Sequence, residues 1–290
     1  MNIERFGMDT ITLAGPLEAK LRAIRDGGFT QVMLSARDIV GHPQGEQAAI
    51  DAVRASGLRV TGFQVLRDFE GLAGDLHAYK IDIAKSMLSM CHALGSRVLL
   101  CCSTTSAHAA DDRDRFVADL RKLAMLAIPF RIDVAFEALS WGRFVSDVTS
   151  AWELVERADR CNLGLAIDSY HMLATGTPVD ALDDVDPRKL LFVQLADFMW
   201  QSTPTPDERR ETARHFRVFP GEGVHSAEIG DLMRALDTLG YEGDYSFEVF
   251  NDDYVQLPLA TVAARARQSV QWLMRQVPNR SLPFRRHRAA

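Results

Sequence analysis

Positive charge is in short supply: 33 Lys and Arg stand against 39 Asp and Glu, a net charge of −6. That balance argues against a general nucleic-acid binder or a basic membrane-surface protein. The one basic concentration is "NRSLPFRRHRAA", within residues 278–290, expected to be a solvated end. Long apolar runs are missing too. None approaches the roughly 20 residues that cross a bilayer, and the opening "MNIERFGMDT" has no signal-peptide core. Cysteine is sparse. Cys91, Cys101, Cys102 and Cys161 lack zinc-type spacing, which suggests reduced, buried thiols in a cytoplasmic protein. Cys101 and Cys102 are neighbours in an apolar strand, so alternation sends them to opposite faces. No strand is followed by GxGxxG or GxxxxGK[ST], which removes support for nucleotide cradling. His42, His77, His92, His108, His215, His225 and His287 form no HxH or HExxH pair and are expected on surfaces or helices.

What is present is a rhythm. Short apolar strands are expected at 9–13, 30–34, 58–65, 96–102, 132–139, 163–168, 190–196 and 244–250. Between them run amphipathic helical patterns, with Leu232, Leu236 and Leu239 as one example of three- and four-residue spacing. Gly27, Gly57, Gly95 and Gly240 close several of these, as left-handed helix ends favour. Parallel strands need crossover helices, and closing the sheet removes its edges. The expected fold is therefore α/β: a single-domain (β/α)8 TIM barrel over residues 1–277, with a basic tail at 278–290. Residues 201–225, polar and punctuated by Pro and Gly, read as a long functional loop.

Four strands do something unusual near their C-terminal ends. "VAFEALSWG", "LAIDSYH", "FVQLAD" and "YSFEVF" place Glu137, Asp168, Gln194 and Glu248 there. In this fold the active site lies at that rim. One Glu at a strand end is ordinarily a salt-bridge partner, and one Gln is ordinarily bonded to a loop. Four oxygen donors on consecutive strands point instead to a bound cation. Oxygen ligation suits Mg²⁺, Mn²⁺ or Co²⁺, is compatible with Zn²⁺, and disfavours thiolate-loving metals.

The segments "FQVLRDFEG", "AFEALSWG", "IDSYHML", "FVQLADF", "FRVFPGEG" and "SFEVFND" resemble the xylose-isomerase-like TIM barrels of the sugar phosphate isomerase/epimerase group. Within that group the likeness is to the bacterial 3-dehydroshikimate dehydratases, with Gln194 standing where epimerases usually carry His. The resemblance implies a divalent-metal lyase with Glu137, Asp168, Gln194 and Glu248 as ligands. It would convert 3-dehydroshikimate to protocatechuate and water by enolate-type elimination. Two positions depart from the pattern. Met33 stands where many members have an acid, and Val224 and His225 follow "PGEG" where an acid is common.

On that reading His171 is the expected base or proton shuttle, with Glu137 and Glu248 sharing the work. A carboxylate substrate calls for cations, and Arg67 and Arg217 are expected to grip it, with Ser103 donating a hydrogen bond. Trp141 and Phe250 are expected either in the core or on the pocket wall. The expected partner is the small-molecule carboxylate, without nucleic acid or membrane, and a homo-oligomer is compatible. The alternative function is a sugar or keto-sugar epimerase or isomerase using the same metal site.

Overall fold

The computed structural model describes residues 2–277; the basic tail expected at 278–290 lies outside the described residues. Eight parallel strands close into a barrel, with helices in the crossovers. In chain order they are β1 (Phe6–Asp9), β2 (Gln31–Ser35), β3 (Arg59–Arg67), β4 (Val98–Cys102), β5 (Asp133–Glu137), β6 (Leu163–Asp168), β7 (Leu190–Leu195) and, eighth around the barrel, β10 (Tyr245–Phe247). The remaining pair, β8 (Asp197–Phe198) and β9 (Arg217–Val218), forms a small antiparallel ribbon over the rim. No helix among the described residues is long and apolar enough to cross a membrane.

Strand parity sorts the core. Leu99 and Cys101 pack outward into the layer between barrel and helices, whereas Leu100 and Cys102 join Met33, Ala135, Ala166 and Phe192 inside the barrel. The two neighbouring cysteines thus face opposite ways, as alternation requires. Because Ala135, Ala166 and Phe192 face inward, so do Glu137, Asp168 and Gln194 two residues on.

Three expectations are corrected. The first strand is not 9–13 but Phe6–Asp9, and Thr10–Thr12 is a 3-10 turn capped by the Asp9 side chain. Gly7 hid the strand: a Cβ there would lie 2.8 Å from Cγ of Gln31, so this close approach excludes the side chain that would have signalled it. The stretch 201–225 is not a loop throughout. Pro206–His215 is a helix, opened by a capping box in which Thr205 and Glu208 satisfy each other's backbone N–H. Gly27 is right-handed, whereas Gly57 and Gly240 close their helices in the left-handed region at φ 72° and 84°.

Candidate active site

Register brings the four oxygen donors together. Asp168 pairs level with Gln194 across β6 and β7, and Gln194 pairs level with Ser246 of β10, two residues before Glu248. All four are buried, from 0% exposure at Gln194 to 7% at Glu248. Asp9, at the end of β1, joins them fully buried. The sequence reading missed it because the misplaced first strand put it at the wrong end.

One guanidinium stands among these acids. Nη1 of Arg217 donates to Oδ2 of Asp168 at 2.6 Å and to Oε2 of Glu248 at 2.9 Å. Tyr170 and Phe250 flank the guanidinium carbon at 4.4 and 5.4 Å. Burial opposes the charge of Arg217, but Asp168 and Glu248 outweigh it and push its pKa upward. The arginine expected to grip a substrate carboxylate is therefore already engaged by the protein's own.

A single cation does not neutralise the cluster. Burial raises Asp168 to about 7 even against Arg217, with Glu248 adding to the rise. Burial, then Asp168 and Glu248, hold Glu137 well above the usual carboxylate range. Asp9 is raised in the same way, by burial and then by Glu248. Oε1 of Glu137 and Oε1 of Gln194 are buried without a hydrogen-bond partner among the described residues, a costly state for polar atoms. Ligand atoms of Glu137, Asp168 and His171 lie within 4.8 Å of one another. Crowded acids with unpaired inward oxygens fit a divalent cation of oxygen preference.

By distance His171 belongs to that group, but the state of its ring sets it apart from the oxygen donors. The backbone N–H of Ser140 donates to its Nδ1 at 3.1 Å, so the neutral ring carries its proton on Nε2. Nε2 has no hydrogen-bond partner among the described residues and lies 3.7 Å from Oδ2 of Asp168. Burial, with Arg217 and Arg67 adding to it, keeps the ring's pKa well below the ordinary histidine value. The residue expected as a base thus presents an N–H, a donor, to the site. Its ring is held edge-on between Trp141 at 5.1 Å and Tyr170 at 5.4 Å.

A cavity of about 600 Å³ opens over these groups. Glu137, Glu248 and His171 line it together with Trp141 and Phe250. Its basic wall holds Arg67 as expected, together with Arg37 and Arg214, which the sequence reading missed. Arg67 is exposed and makes no ion pair among the described residues. Ser103 is absent from the lining. It is 1% exposed, and its hydroxyl accepts the N–H of Leu139 at 3.0 Å, which ties the end of β4 to the loop after β5. Two further residues escaped the sequence reading because their partners are remote in sequence. Gln64 of β3 bridges Asp9 and Glu248, and Cys102 donates its thiol to Oε2 of Glu137 at 3.0 Å.

Two histidines also depart from the surface placement expected of them. His42 is buried against Glu18. His225 is buried with Nδ1 2.8 Å from Oδ1 of Asp197, which pins the β8–β9 ribbon that carries Arg217. The His287 assignment falls outside the described residues.

Known proteins share this architecture. The family model for xylose isomerase-like TIM barrels matches residues 21–276. A 3-dehydroshikimate dehydratase of Pseudomonas aeruginosa is 34% identical over 91% of this chain. The chain spans about two-fifths of that relative's length, 41%. One of Neurospora crassa is 26% identical over 87% of this chain and 78% of its own length. Among solved structures, a fusion of a xylose isomerase-like TIM barrel with 4-hydroxyphenylpyruvate dioxygenase superposes with a TM-score of 0.87. It is 32% identical and covers 94% of this chain and 43% of its own. The IOLI protein with a bound zinc atom shares the fold at a TM-score of 0.80 and 20% identity, over 93% of this chain and 98% of its own. With its closed barrel, its rim of oxygen donors and these matches, the chain belongs to the xylose isomerase-like TIM barrel family.

Proposed function

We propose that this chain is a divalent-metal-dependent lyase that dehydrates 3-dehydroshikimate to protocatechuate and water. The observation that carries the reading is one cavity with two opposed chemistries: the buried carboxylates Glu137 and Glu248, with Asp168 and Gln194 behind them, and a wall of arginines. Its volume, about 600 Å³, suits a small ring compound. The relatives named 3-dehydroshikimate dehydratase support the same choice.

Glu137, Asp168, Gln194 and Glu248 would hold the cation. When bound, it supplies Lewis-acid polarisation of the substrate ketone and charge stabilisation for the enolate. Arg67, exposed and without an ion-pair partner among the described residues, meets the substrate carboxylate from the cavity wall. Arg217 keeps Asp168 and Glu248 in place and partly offsets their charge. Glu137, which lines the cavity with its Oε1 directed inward, is the carboxylate placed to take the proton from the carbon beside the ketone. His171 donates from Nε2 to a substrate oxygen. The C–O bond to the β-hydroxyl then breaks, the proton on Glu137 returns to that oxygen, and water departs. A last proton shift within the ring yields the aromatic acid.

The test is direct. Protein supplied with 3-dehydroshikimate and Mg²⁺, Mn²⁺ or Co²⁺ should generate the ultraviolet absorption of protocatechuate, and exhaustive chelation should stop it. No aromatic product with any of the three ions, together with turnover of a ketose, would replace this reading with the epimerase or isomerase one, towards which the inosose isomerase relatives lean.

A further inference from the structure

We infer that Gln64 is a positioning residue that sets which end of the Gln194 amide faces the cation site. The inference rests on the reading of Gln194 as a cation ligand. A glutamine amide has an oxygen and an NH₂ of nearly equal shape, and the oxygen alone can bind a cation. Something must choose between them.

The choice begins at two carboxylates. Nε2 of Gln64 lies 3.0 Å from Oε1 of Glu248 and in hydrogen-bond contact with Oδ2 of Asp9. Glu248, whose other oxygen already accepts from Arg217, is an acceptor as a carboxylate, so the end of Gln64 that faces it is the NH₂. Asp9 is itself held, its Oδ1 accepting the N–H of Ile11 at 2.9 Å. The amide oxygen of Gln64 must then face the other way, where Nε2 of Gln194 approaches it at 3.5 Å. The second N–H of Gln194 is directed at Sδ of Met33, a weak acceptor, at 3.8 Å. With both hydrogens of Gln194 engaged, its Oε1 is left buried and unpartnered. Turning Gln194 over would set two amide oxygens against each other and aim an NH₂ at the cation. Turning Gln64 as well offers no escape, because its oxygen would meet the Glu248 carboxylate at about the same distance. The orientation therefore passes from β1 and β10, through β3, to β7.

The experiment is a Co²⁺ titration of metal-free protein, followed by the ion's visible absorption and by competition with a chelator. It uses four proteins: wild type, Gln64→Met, Gln194→Glu and the double variant. Gln64→Met should weaken Co²⁺ binding about tenfold or more in the wild-type background, the usual scale for partners that orient a ligand. In the Gln194→Glu background the same change should cost much less, because a carboxylate offers oxygen at both ends. Equal weakening in the two backgrounds overturns the inference, since Gln64 would then act through Glu248 alone. No Co²⁺ binding by the wild type overturns the cation site and the inference with it. If Gln64→Met does not fold, Met33→Leu carries the same comparison at similar volume. It should weaken binding to a smaller extent in the wild-type background and leave Gln194→Glu unchanged, and equal effects again overturn the inference.

Discussion

The backbone N–H of Ser140 donates to Nδ1 of His171 at 3.1 Å, and this contact decides what the histidine can offer. A ring whose Nδ1 lone pair is taken presents Nε2–H to the substrate. Burial holds its pKa well below the ordinary value, so it stays neutral through and above the range where a free histidine titrates. The rate should then show no limb near pH ~6.5 that belongs to His171. His171→Ala should lower kcat by about a hundredfold, and His171→Gln, which keeps an N–H, should lose less. A limb near neutrality in the wild-type pH–rate profile that vanishes in His171→Gln would restore the base role.

Arg217 is the counter-charge of two buried acids, with Nη1 2.6 Å from Asp168 and 2.9 Å from Glu248. Removing it leaves carboxylates buried without their partner. Arg217→Ala should cost about 3–5 kcal/mol of stability, read from urea unfolding of metal-free protein. Excess Mn²⁺ should return part of that loss, because an ion that binds the native state alone stabilises it. A variant as stable as wild type would show that the acids are already neutral.

Arg67 contributes differently because it meets solvent. Its grip on a substrate carboxylate would be the same in the ground and transition states. Arg67→Ala should therefore raise KM by about tenfold or more and leave kcat within about threefold. Steady-state kinetics decide it: a fall in kcat at unchanged KM would assign Arg67 to the chemical step.

Glu70 lies outside the metal site and gives a pH test independent of it. It is fully buried, with Oε1 accepting the N–H of Thr104 and Oε2 unpartnered. Burial raises its pKa from 4.5 to about 7, against the opposing effect of the Thr104 hydrogen bond. Between those values the native protein keeps a proton that the unfolded chain has released. Its contribution is fully present below pH 4.5 and is lost as pH rises through about 7. Glu70→Gln should flatten that decline, so unfolding midpoints of variant and wild type should draw apart towards pH 8. Parallel pH profiles would mean that Glu70 is ionised in the fold.

Much of the rim was legible because strand parity is a local property. Glu137 and Asp168 each end a continuous apolar run, so their height and inward direction follow from counting residues. Asp9 was not legible, since Gly7 lacks the side chain that marks a strand, and the more β-like "ITL" drew the strand assignment forward. The helix Pro206–His215 did have a local signal, the Thr205–Glu208 box followed by Pro206, which the surrounding polarity obscured.

The order of apolar runs and crossover helices determined by itself that the chain would close into a barrel with acids at one end, because both depend on short-range periodicity. The roles of individual side chains depended on partners far away in sequence. Arg217 could be taken for a substrate ligand until folding set it between Asp168 and Glu248, 49 and 31 residues away. His171 reads as a base from its place three residues past Asp168, whereas the N–H that meets its Nδ1 comes from Ser140, 31 residues away. Hydrogen-bond donors and acceptors are assigned by what lies across the cavity, and only the closed barrel brings those groups face to face.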